Sequence, residues 1–215
     1  MLVLGERGLA VSRVLCIGAH SDDIEIGCGG TLMQLIERCP GLSVDWLVLS
    51  ASDDRRKEAE ASAARLLSGV AASRVWIEPF RERYFPYQPE IKERFDALQA
   101  TSKPDLVFTH WSGDAHQDHR VASELTANTF RDHLILEYEI PKYDGDLGRP
   151  SVYVRLTDEQ ADAKVEHLDS AFPSQRSRPW YDAETFRGLM RLRGVECNAP
   201  SGMAEAFHAR KVVLA

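Results

Sequence analysis

No stretch of the 215 residues comes near 18 consecutive apolar side chains, so a membrane-spanning helix is not expected. The opening residues, MLVLGERGLAVSR, lack a basic region ahead of a long apolar run, so a signal peptide is not expected either. The four cysteines, Cys16, Cys28, Cys39 and Cys197, form no C-x-x-C pair, and a reduced, cytoplasmic chain is the simpler expectation. A basic excess is also missing. The net charge of -7 argues against a nucleic-acid or anionic-membrane surface, although it leaves room for a local basic pocket. No G-x-G-x-x-G follows the first apolar run; the glycines read Gly27-Cys28-Gly29-Gly30, which makes a nicotinamide-cofactor reading weak. Repeats, low-complexity tracts and interdomain linkers are absent, and the length suits one domain over residues 1–215. With 44% hydrophobic residues, that domain can bury a packed core.

What the chain does have is an alternation of short apolar runs and amphipathic stretches. After a lead-in over residues 1–12, the pattern predicts strands at residues 13–19, 44–49, 74–78, 105–109, 134–138 and 151–156. Helices are expected from near Gly27 to just before Pro40, from Ser52 to about Leu67, and from Ile91 to before Lys103. Three more are expected over residues 121–130, from a Thr157/Gln160 capping box to about Phe172, and over residues 182–192. Residues 79–90 and 173–180 read as loops, 141–150 as a turn-rich excursion and 207–214 as a tail. Such alternation argues an α/β, Rossmann-like three-layer sandwich with a mostly parallel sheet. In that architecture ligands bind outside the carboxyl ends of the strands.

Two polar clusters follow strands in this pattern. GAHSDDIEIGCGGT, residues 18–31, leaves the first strand, and HWSGDAHQDHR, residues 110–120, leaves the fourth. Parallel strands deliver both to one sheet edge. Three protein ligands and an open position make a catalytic zinc site. Here His20, one carboxylate of the Asp22–Asp23 pair and His119 form a two-His, one-carboxylate set, which also suits iron(II). A remaining carboxylate can take a proton from a metal-bound water as general base. A remaining His, such as His116, can protonate a leaving amine or stabilise an oxyanion, and Asp118 can hold an imidazole in one tautomer. Taken alone, Asp22 and Asp23 also read as N-cap carboxylates. Arg55 and Arg56 read equally as a solvated helix face, and Glu25 as a helix-terminal charge. Tyr84, Phe85 and Tyr87 suit either a sugar cleft or loop packing. The pairing of two clusters at matching strand ends favours a site.

At these residues the chain resembles the PIG-L/LmbE-like de-N-acetylases, zinc-dependent amidases acting on N-acetylated sugars. The family's His-Pro-Asp-Asp motif stands here as His20-Ser21-Asp22-Asp23, followed by Gly27-Cys28-Gly29-Gly30-Thr31, and its His-x-Asp-His motif as His116-Gln117-Asp118-His119. The resemblance implies His20, Asp23 and His119 as zinc ligands and Asp22 as general base. It also implies His116 as the acid or oxyanion-stabilising imidazole, with Asp118 as its orienting partner. Arg55-Arg56-Lys57-Glu58 resembles the family's R-x-x-E, whose arginine meets the substrate, and Arg55 is favoured for that role. Tyr138-Glu139-Ile140-Pro141 and Ala204-Glu205-Ala206-Phe207 also resemble family segments, so the likeness covers about residues 13–212. Ser21 replaces the usual Pro and loosens the loop without removing a ligand. Asp114 stands where some members carry a Tyr, which leaves oxyanion stabilisation to the metal and His116.

The expectation is therefore a metal-dependent hydrolase that removes an acetyl group from an N-acetylated sugar or glycoconjugate. Metal-bound water is the nucleophile and Asp22 its base; the metal is zinc, with iron(II) or another divalent ion as alternatives. The partner is a small-molecule substrate rather than a nucleic acid. Rivals are a hydrolase of a non-sugar amide or ester and a non-catalytic metal-dependent glycan-binding module.

Overall fold

The structure, a computed structural model, describes residues 11–213. Most of the expected lead-in, including the start examined for a signal peptide, lies outside the described residues. Apolar runs form the strands, the central ones buried on both faces as parallel sheets require and the edge ones, 72–77 and 152–156, more exposed. The strands are β1 (Arg13–Gly18), β2 (Ser43–Val48), β3 (Ala72–Ile77), β4 (Leu106–His110), β5 (Leu134–Tyr138), β6 (Val152–Leu156) and β7 (Met203–Ala209). The helices are α1 (Asp23–Arg38), α2 (Asp53–Leu66), α3 (Pro89–Thr101), α4 (Gln117–Thr129), α5 (Asp158–Ala171) and α6 (Ala183–Glu196). The Thr157/Gln160 capping box opens α5 as its sequence suggests. No helix of the described residues is long and apolar enough to cross a membrane.

The seven strands run in the order β3-β2-β1-β4-β5-β7-β6. Pairings are parallel except where β7 lies antiparallel between β5 and β6. Leu32 of α1, Ala63 of α2, Leu168 of α5 and Met190 of α6 pack with Trp46 and Phe108 in one core. Phe95 of α3 and Ala122 of α4 pack with Leu15 and Leu47 in another. The result is a three-layer sandwich. Successive strands step outward one way from β1 and the other way from β4, so the crevice between these neighbours is the topological switch point.

Two boundaries depart from the sequence pattern in ways that matter to the site. α1 opens at Asp23, not near Gly27, and runs through the glycines with a break in helical geometry at Cys28. Gly27 is there for close approach: a Cβ would lie 2.2 Å from the Tyr138 ring, whose hydroxyl donates to Ile17 O. α4 opens at Gln117, four residues before the expected start, which puts His116 at its N-cap and His119 in its first turn.

Candidate metal centre between the first and fourth strands

β1 and β4 are adjacent and parallel, so both polar clusters leave the same sheet edge. His20, Asp22, Asp23 and His119 are all buried there. Asp23 Oδ2 lies 3.3 Å from His20 Nδ1 and 3.6 Å from His119 Nε2, and those two nitrogens are 3.2 Å apart. A tetrahedral zinc with bonds of about 2.0–2.1 Å separates its donors by roughly 3.3 Å, so this triangle fits one small divalent cation. Asp23 Oδ2 also accepts the His20 backbone N–H at 2.6 Å, which folds the loop back on itself. A ring nitrogen of His116 lies within 4.8 Å of nitrogens of His20 and His119.

Each imidazole of the triangle meets a carboxylate on its far nitrogen. His119 Nδ1 is 2.9 Å from Asp114 Oδ2, and His20 Nε2 is 3.4 Å from Asp118 Oδ2. Carboxylates in this place fix the tautomer and turn the other nitrogen toward a metal. The Asp118 carboxylate therefore faces His20; its link to His116 runs through its backbone N–H, which donates to His116 Nδ1 at 3.2 Å. Asp118 is itself held by the amide of Arg83, a non-glycine residue with φ of 68°. The Gln117 side chain holds the Arg83 carbonyl, so the left-handed backbone is pinned at both ends.

Asp22 occupies the N-cap of α1, but its side chain makes no capping hydrogen bond. Its Oδ1 accepts from Arg55 Nη2 at 3.0 Å, while its Oδ2 is buried with no hydrogen-bond partner among the described residues. Arg56 instead pairs with Glu60 on the helix surface, 3.6 Å away. Glu58 accepts from the Ser174 amide and hydroxyl and ties the 173–180 loop to α2. Glu25 is buried one turn into α1 and accepts from Ser62, whose oxygen is 2.8 Å from His167 Nε2. Phe85 is buried with its ring 6.1 Å from that of His20, whereas Tyr87 is 76% exposed.

The electrostatics favour positive charge at the triangle, which the His20 proton supplies until a metal displaces it. Burial opposes charge on His20, but Asp23 and Asp118 outweigh it and push its pKa up to about 10. Burial also works against ionised Asp23, yet His119, His110 and His20 hold it well below the usual carboxylate range. Burial and His110 drive His119 down to about 3, so its Nε2 remains a lone-pair donor. Asp22 shifts the other way: burial and the neighbouring Asp23 raise it despite Arg55.

Three residues of this environment escape the sequence pattern. His110, at the end of β4, stacks on the His119 ring with centroids 3.9 Å apart. Asp23, His110 and His119 also bring ligand atoms within 4.8 Å, but His110 Nε2 already accepts the Ala19 N–H at 2.9 Å, which gives it a supporting place. Asp114, read from sequence as a lost hydrogen-bond donor, is the carboxylate behind His119. Lys142, from the excursion after β5, reaches Asp114 Oδ2 at 3.1 Å. His110 lies inside the second cluster and Asp114 five residues before His119, so both had a local signal. Lys142 had none.

Comparison with known proteins follows the same lines. The sequence pattern of PIG-L, described as GlcNAc-PI de-N-acetylase, matches residues 15–130, more than half of the chain. Diacetylchitobiose deacetylase of Thermococcus kodakarensis is 30% identical over 132 residues, 54% of this chain and 48% of that protein. The chain thus aligns with about half the length of that relative. The structure of N,N'-diacetylchitobiose deacetylase from Pyrococcus horikoshii superposes with a TM-score of 0.70 at 23% identity, over 93% of this chain and 84% of that one. GalB, the 4-carboxy-2-hydroxymuconate hydratase of Pseudomonas putida KT2440, superposes with a TM-score of 0.73 at 17% identity, over 95% and 98% of the two chains. At these identities the two structures share a fold with the chain, and a shared fold does not carry an activity with it.

Proposed function

Because this chain belongs to the PIG-L family of GlcNAc-PI de-N-acetylases, we propose that it is a zinc-dependent hydrolase removing the acetyl group from an N-acetylated sugar or glycoconjugate. The observation that carries this reading is the triangle of His20 Nδ1, Asp23 Oδ2 and His119 Nε2, which would hold the cation. A divalent ion bound there supplies Lewis-acid activation of water and of the acetyl carbonyl. Iron(II) fits the same donor set. The deacetylase from Thermococcus kodakarensis supports the sugar part of the reading.

Asp22 is the general base. Arg55 grips one oxygen and fixes the direction of the other, which has no partner and accepts the proton of the attacking water. His116 accepts the Asp118 amide at Nδ1, so the neutral ring carries its proton on Nε2. From there it donates a hydrogen bond to the carbonyl oxygen as negative charge develops, while the proton that Asp22 took from the water passes to the departing nitrogen as the C–N bond breaks. Arg55 positions the base, and through its base-holding guanidinium the R-x-x-E helix start enters the site. Acetate and a free amine leave.

Acetate release across a panel of N-acetylated sugars tests this, since the hydratase on the same fold makes the reaction, not the architecture, the deciding readout. The chelated protein is expected to be inactive and to recover on adding zinc. Asp22→Ala should keep its zinc and lose turnover by about 10²–10⁴-fold. Full activity in Asp22→Ala, or in the metal-free protein, rules the mechanism out.

A further inference from the structure

The excursion over residues 141–150 does more than connect β5 to β6. Lys142 Nζ, on a side chain 9% exposed, lies 3.1 Å from Asp114 Oδ2 and also bonds Asp146 Oδ2. The same Asp146 oxygen accepts the Ala115 N–H at 2.7 Å. Asp114 in turn holds His119 through Nδ1 and accepts the His116 amide at 2.7 Å through its other oxygen. One buried ammonium therefore joins the two carboxylates that fix the loop carrying His116 and the ring of His119. A buried ammonium persists only where it is paired, and both of its partners here serve the site rather than the core.

We propose that Lys142 is a positioning residue of the metal centre, setting His119 through Asp114 and the His116 loop through Asp146. The site is then assembled from three chain segments, where the two motifs name only two. This rests on the reading that His119 faces a cation.

Zinc affinity of the metal-free protein, measured by competition with a chromophoric chelator, tests it without recourse to activity. Loss of an outer partner of a metal-ligating His weakens metal binding by about 10–100-fold, and Lys142→Met is expected to fall in that range. Lys142→Arg, which keeps charge and reach, is expected to recover most of it. Removing a positive charge by itself would tighten the hold on a cation, so unchanged or tighter zinc binding in Lys142→Met overturns the proposal. Should Lys142→Met fail to fold, Lys142→Gln carries the test: weaker zinc binding supports the clamp, and unchanged or tighter binding overturns it. A wild type that holds no zinc overturns this inference and the proposed function together. A wild type that holds zinc, loses it in His119→Ala and keeps it in Lys142→Met overturns the role of Lys142 alone.

Discussion

Two clusters of buried charge lie against α1, and they are built on opposite principles. On the side of β6 and β7, Glu205 accepts the Gly30 and Thr31 amides at 2.9 and 2.7 Å and pairs with Lys164, which also donates to Ile26 O. Nearby, Glu139 takes the Arg193 guanidinium on both oxygens and the Gly148 amide. Every charge there meets an opposite charge or a backbone dipole from within the chain. At the β1–β4 crevice, His20, Asp23 and His119 turn their donor atoms toward one another, and Asp22 Oδ2 and His110 Nδ1 have no partner among the described residues. The first arrangement is complete as it stands and holds elements together. The second gathers donor atoms around one point, which is the arrangement the proposed cation site requires and which burial alone does not distinguish.

The largest effect that would break this contrast comes from His119→Ala. It is expected to weaken zinc binding by more than the roughly 100-fold upper range of an outer partner, with little change in the melting temperature of the metal-free protein. A large fall in that melting temperature would make the crevice as structural as the ion pairs. Lys164→Met is expected to do the reverse. It leaves Glu205 buried without its ammonium, which costs about 3–5 kcal/mol in denaturant unfolding while zinc affinity stays at the wild-type value. His167 sharpens the comparison with a smaller effect. Burial and Arg65 push its pKa down to about 4, so the folded state holds it neutral. Its contribution to stability is therefore full above the unfolded value near 6.5 and is lost as pH falls toward 4, by about 3 kcal/mol at most. Unfolding at pH 7 and pH 4.5 should show a steeper loss in the wild type than in His167→Gln; equal losses would place the titration elsewhere.

The motif residues were legible because each motif is a short string placed by one strand end. His20 and Asp23 are three residues apart, His116 and His119 likewise, and parallel strands bring both strings to one sheet edge; that β1 and β4 are neighbours is seen only in the structure. What the pattern missed is what depends on partners distant in the chain. The sequence pattern opens α1 near Gly27, whereas the helix begins at Asp23 and runs through the glycines. The Tyr138 ring, which needs Gly27 for close packing, lies more than a hundred residues away. The Asp118 carboxylate was assigned to its neighbour His116 and instead crosses the crevice to His20. Glu139 and Glu205, noted only as parts of recurring segments, are the carboxylates of the ion pairs. Nothing in the string PKYDGDLG announces that its lysine reaches behind His119.

The reversed strand has a consequence for the order of assembly. β6 pairs in the sheet only with β7, and β7 is made some fifty residues later. Glu205, which clasps the amides of Gly30 and Thr31, rides on that same last strand. A chain emerging from the ribosome can therefore form β1 through β5 early, yet the helix behind the first motif lacks its Glu205 clasp until residues 203–209 have been made. β7 thus goes in as a keystone, joining β6 to the sheet and bracing α1 in one step.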